Sequence, residues 1–157
     1  MMPRDHLERV FRPNLQEFHD NYGDLRRAFN AAAAIDALAA HIYWWAMQNR
    51  ASYVAGINDS GFRKRLAAAD PDFKLTFEVA KANKHVQLTQ GRPSVANASQ
   101  IAAKSVGFGE GRWGDVRWDG PLQVFIEPTG APQWGAEGVF DRALAFLEAE
   151  MAALGIP

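Results

Sequence analysis

DPDFKLTFEVAKANKHVQL, residues 70–88, can be read as strand or as helix, and the architecture of the chain follows from the choice. Phe73, Leu75, Phe77 and Val79 alternate as in a strand, whereas Ala80, Lys81, Ala82 and Lys84 are helix formers. Asp70-Pro71 tips the balance. Aspartate is a good N-cap, and proline suits the first helical position because the N–H it lacks would have no partner there. A helix over about 71–88 is expected, ended by Thr89-Gln90-Gly91-Arg92-Pro93.

Upstream, Leu25, Phe29, Ala32, Ile35, Ala39, Ile42 and Trp45 recur at three- and four-residue steps, which predicts one long helix over about 24–49. Its run of four alanines would let another helix approach closely, and Tyr43-Trp44-Trp45 would fill volume at its far end. Asn14 and Glu17 have capping-box spacing, so an earlier helix should run from there to about residue 20, with Pro13 interrupting a short turn before it. After the turn-prone Asn58-Asp59-Ser60, Phe62, Leu66 and Ala69 mark one face of a short helix.

The last third changes character. Residues 101–106 read as a strand, and Leu122, Val124 and Ile126 alternate with Gln123 and Glu127 as a strand with one face on the core. Pro128-Thr129-Gly130 is a turn. Phe140, Ala143, Leu147, Met151 and Leu154 then form the apolar face of a closing helix stopped by Gly155. The expected fold is mainly α: a single domain over 1–157, a four- or five-helix bundle with a small β-hairpin before the C-terminal helix.

Composition narrows the function classes. With 48% hydrophobic and 11% aromatic residues among 157, the chain can bury a real core. Seventeen basic against eighteen acidic residues leave a net charge of −1, which excludes a global field for polyanions and makes any such site local. The middle is basic, with Arg63, Lys64, Arg65, Lys74, Lys81, Lys84 and Arg92, and the tail beyond Gly135 is acidic, so the two are expected to attract each other. The absence of cysteine removes thiolate metal sites and thiol nucleophiles. Residues 28–49 approach membrane-spanning length, but Asp36, His41 and the weakly inserting alanines favour a buried helix. The N-terminus lacks the apolar core of a signal peptide, and a cytoplasmic location is expected.

Candidate chemistry centres on the opening stretch. On a helix Lys81 and His85 share a face, with Glu78 one turn further toward the N-terminus, and three titratable groups on one stripe could do acid–base work. Neutral histidine can take a proton from a sugar hydroxyl. The competing reading is a solvated face. The Lys84-His85 dipeptide near a helix end, following an early pair of long helices, resembles the HEPN superfamily of small bacterial helical domains. It is also similar to uncharacterised proteobacterial proteins that add a glycine-rich loop, a closing hairpin and a helix. The resemblance implies a dimer, and in the active ribonucleases of that superfamily it implies metal-independent RNA cleavage by a histidine preceded by an arginine. His85 takes the histidine's place, but Glu78, Val79 and Ala80 occupy the arginine's positions, and Lys81 lacks the planar fork that grips phosphate.

Elsewhere, His41 lies five residues after Asp36, roughly 140° around a helix, so the two cannot chelate one ion. His6 and His19 sit in polar surroundings, and no metal-ligand spacing or cofactor fingerprint occurs. In GFGEGRWGDVRWDGP, residues 107–121, Arg112 stands where a dinucleotide loop requires glycine. The doubled Arg112-Trp113 and Arg117-Trp118 could stack on a nucleobase, anchor a protein interface, or pin the loop to the bundle. The preferred expectation is a non-catalytic, HEPN-like association or binding module, a homodimer or a protein's partner, with the alanine-rich helix and the Trp-Arg loop as contact surface. The alternative is a metal-independent ribonuclease or RNA-binding protein with His85 as base and Lys81, Lys84 or Arg92 on phosphate. An enzyme acting on a small molecule through Asp36, His41 and the Tyr43-Trp44-Trp45 cluster is a third reading.

Overall fold

A computed structural model of the chain describes residues 1–85, 87–88, 91–107, 117 and 120–157. Among these, five helical rods and a small three-stranded sheet form one core. The first rod joins α1 (Pro3–His6), a π-helical turn (Leu7–Phe11) and α2 (Arg12–Asp20). Pro13 does not interrupt it. The wide turn, in which the Arg12 N–H returns to the Leu7 carbonyl, ends just before the residue that has no N–H and would crowd a tight α-ladder. Asn14 therefore lies inside the rod, and its amide donates back to the Val10 carbonyl at 2.7 Å in place of the expected capping box.

Asp24, expected as the first residue of the long helix, instead caps α3 (Leu25–Asn49) by accepting the N–H groups of Arg26 and Arg27. Asn58 does the same for α4 (Asp59–Ala69), and Asp70, with Pro71 in the first turn, for α5 (Pro71–Lys84). Residues 70–84 thus coil. Their strand-like alternation reflects burial on several sides, since Leu75, Thr76, Phe77, Glu78, Val79 and Ala80 are all buried, and a helix covered all round shows no single stripe. The helix is shorter than expected. His85 is extended at φ −127 and ψ 133, and Leu88 gives its N–H to the Ala96 carbonyl at 2.6 Å, a pairing that continued helix would forbid.

The sheet has the order β1-β2-β3, all antiparallel, with β1 (Ile101–Lys104), β2 (Gln123–Ile126) and β3 (Trp134–Gly135). The expected hairpin thus gains a short third strand leading directly into α6 (Ala136–Leu154). All four residues of β2 are buried, so its faces do not alternate as predicted; Leu122, outside the strand, is the exposed one. Gln123 can be buried because its amide both receives the Arg117 N–H at 2.7 Å and donates to the Arg117 carbonyl at 2.6 Å. Gly155 ends α6 in the left-handed region at φ 72, where the N–H groups of Gly155 and Ile156 bond back to Ala152 and Met151.

α3 is the central rod, packed against α2, α4, α5 and α6. Ala28, Ala31, Ala32 and Ala39 are fully buried there, so the alanine surface expected to serve association is already covered by the chain's own helices. Tyr43 is buried as expected, but Trp44 turns outward and is 56% exposed. No helix among the described residues is long and apolar enough to cross a membrane. The basic middle and acidic tail do not simply pair: Glu148 meets Arg12, Asp141 meets His19, Glu137 meets Arg117, and the tail's Arg142 reaches back to Asp72.

Candidate functional site

Because residues 71–84 form one helix, its positions 74, 78 and 81 follow at four- and three-residue steps and fall on one stripe. That stripe faces a cleft of about 670 Å³ between α4, α5 and the returning chain around Leu88, Gly91 and Pro93. Ala67, Ala68, Phe77, Leu88 and Pro93 supply apolar walls. Lys64 from α4, with Lys74 and Lys81 from α5, supplies positive charge.

The carboxylate in this cleft is already committed. Glu78 is 7% exposed, and its Oε2 accepts the Val95 N–H at 2.9 Å. Burial pushes its pKa up, opposed by the Val95 N–H and by Lys74. Lys74 Nζ stands 4.0 Å from Glu78 Oε1 and donates to Ser94 Oγ at 3.1 Å. Lys81 Nζ lies 5.0 Å from the centre of the Phe77 ring, a cation–π contact. Lys64 is exposed and has no ion-pair partner among the described residues.

A second polar cluster lies where α3, α4 and α5 meet. Asp36, 2% exposed on α3, accepts Arg63 Nη1 at 2.9 and 3.0 Å and Lys84 Nζ at 3.3 Å, while Arg63 Nη2 reaches Asp59 at 2.5 Å. Arg63 Nε and Asp59 Oδ1 have no hydrogen-bond partner among the described residues. The cluster cancels its own charge and ties three helices together.

The predicted site residues therefore separate. Glu78 and Lys81 line the cleft, but the helix ends before His85, whose exposed ring is not among the described residues lining it. Lys84 is turned to Asp36. Arg92 is exposed between the lining residues Gly91 and Pro93, with φ 49, a left-handed value uncommon outside glycine. Arg112, Trp113 and Trp118 lie outside the described residues. Arg117 sits 4.3 Å over the Tyr22 ring and 2.9 Å from Glu137, joining its loop to the bundle.

Lys64 and Lys74 were missed. Lys74 was legible, four residues before Glu78 on the same helix; Lys64 belongs to another helix and carries no local signal. The histidines also part. His6 is buried rather than in polar surroundings: Nε2 donates to the Ala34 carbonyl at 3.2 Å, and its ring lies 4.5 Å from that of His41. Burial lowers its pKa. His41 borders a separate pocket with Met1, Asp5 and Trp44, while Asp36 faces α4 and α5. His19 Nε2 is 3.0 Å from Asp141, whose pKa burial raises. Among the described residues no three His, Asp or Glu side chains converge as metal ligands do.

No family model matches the chain, and no curated protein or solved structure is significantly similar to it.

Proposed function

We propose that this protein is a non-catalytic binding module and that the cleft between α4 and α5 is its working site, built for an anionic ligand. One observation carries the reading: Lys64, Lys74 and Lys81 converge on an apolar-walled cleft whose carboxylate, Glu78, is turned to a backbone amide. Ammonium groups beside low-dielectric walls focus a positive potential that neither the overall charge of −1 nor the acidic tail cancels locally. The volume falls in the range of small-molecule sites. The ribonuclease reading of the HEPN likeness rests on His85, and His85 stands apart from the cleft. Lys84, its neighbour, is already held by Asp36.

The test is thermal denaturation with a panel of anions, among them inorganic phosphate, octanoate and adenosine monophosphate. Ligand at about a hundred times its Kd should stabilise the fold by about 2.7 kcal/mol. At least one anion should raise the Tm of the wild type and leave a Lys64→Ala/Lys81→Ala variant unmoved; no shift with any of them removes the reading. Mixed RNA incubated in parallel should stay intact. Cleavage by the wild type that His85→Ala abolishes would establish the ribonuclease instead.

A further inference from the structure

We propose that the cleft takes an organic monocarboxylate with an apolar body, and not a free phosphate. The inference rests on the cleft being the binding site and follows from its donors and its walls. Lys74 is shared between Glu78 and Ser94, and Lys81 lies against Phe77, which leaves Lys64 as the ammonium without a described partner. Lys64, Lys74 and Lys81 against Glu78 leave the cleft positive, which suits a carboxylate and a phosphate alike, so the donors and the walls decide between them.

The donors favour a carboxylate. The charged donors among the described lining residues are ammonium groups, which act as point charges; the guanidinium fork that holds phosphate through two parallel bonds is absent among them. Arg63 lies close by, 5.9 Å from the Phe77 ring, but it is committed to Asp36 and Asp59. The walls supply the remaining term. Ala67, Ala68, Phe77, Leu88 and Pro93 would stay wet around a bare phosphate, and about 670 Å³ is far more than that ion fills. An apolar body attached to the carboxylate covers those walls and gains from leaving water.

The experiment is displacement of the fluorescent probe 8-anilinonaphthalene-1-sulfonate, an apolar monoanion, from the full chain at pH 7. Sodium octanoate should displace the probe, and sodium phosphate at matched ionic strength should not. Lys64→Met should weaken octanoate binding about tenfold, the worth of one charge-assisted contact. Ala68→Trp, which fills the cleft from an exposed position and spares every lysine, should abolish it. Displacement by phosphate without displacement by octanoate overturns the carboxylate assignment while leaving an anion cleft standing. Octanoate displacement that neither substitution changes places binding elsewhere and overturns both.

Discussion

Arg63 Nη1 stands 2.9 Å from Oδ1 and 3.0 Å from Oδ2 of Asp36, so one guanidinium nitrogen bridges both oxygens of a carboxylate that is almost wholly buried. The pair joins α3 to α4, and Lys84 closes the same carboxylate from α5. A charge so deep in the bundle is tolerated only while its partners stay. Arg63→Ala should therefore destabilise the fold by about 3 kcal/mol, because it leaves the buried Asp36 carboxylate with Lys84 alone. Urea denaturation should show the midpoint falling with an unchanged m-value. Asp36→Leu added to Arg63→Ala should recover part of the loss, since no buried charge is then left.

His6 makes stability depend on pH in the weakly acidic range. Burial lowers its folded-state pKa, with the Ala34 carbonyl opposing and His41 assisting. The unfolded chain takes up the proton near pH 6.5 while the folded chain resists it. The contribution is complete above that value and is lost as the pH falls from it toward the lower folded-state pKa. The Tm should drop between pH 7.5 and 5.5, and a His6→Asn variant should show a smaller drop over the same interval. Equal drops would remove the assignment.

Glu78 acts with the opposite sign. Its folded-state pKa is raised by burial, so the unfolded chain ionises first, near pH 4.3, and stability declines as the pH rises through the folded value. Glu78→Gln keeps an oxygen for the Val95 N–H and removes the buried charge. The variant should be more stable than the wild type at pH 7 by chemical denaturation, with the gain shrinking at low pH. A variant less stable at pH 7 would mean that the Lys74 attraction outweighs desolvation.

Two glycines should respond differently to alanine. At Gly155 an added Cβ finds space, its nearest neighbour being Arg50 Nη2 at 3.8 Å, but φ is 72 and the left-handed strain should cost about 1 kcal/mol. At Gly23 the Cβ would fall 2.5 Å from the Leu122 carbonyl oxygen, next to the point where the Val124 N–H bonds to the Tyr22 carbonyl. Backbone must move there. Gly23→Ala should be the more damaging by about 1–3 kcal/mol, the range for overpacking, and calorimetry of the two variants should show that order.

Local chemistry made much of the architecture legible. Asp70-Pro71 and Gly155 announce helix ends through the same caps that form, and the alternating and three-to-four-residue patterns place the long helix, the closing helix and the strands. Pattern reading fails where burial is not one-sided: β2 is buried on both faces, and α5, covered on several sides, imitates a strand. It fails again at the end of α5, where a distant carbonyl, that of Ala96, takes the Leu88 N–H and halts a helix that its composition would have continued.

By itself the sequence determined the helical class, most helix starts, and the shared stripe of Glu78 and Lys81, because caps and periodicity act within one or two turns. Tertiary structure alone brought Lys64 to that stripe, gave Glu78 to Val95, buried Asp36 against Arg63 and Lys84, and left His85 outside the cleft. The bonds of Asp36 and Glu78 join residues 17 to 48 positions apart, and no local rule reaches so far; they depend on which helix faces turn toward one another when the core closes.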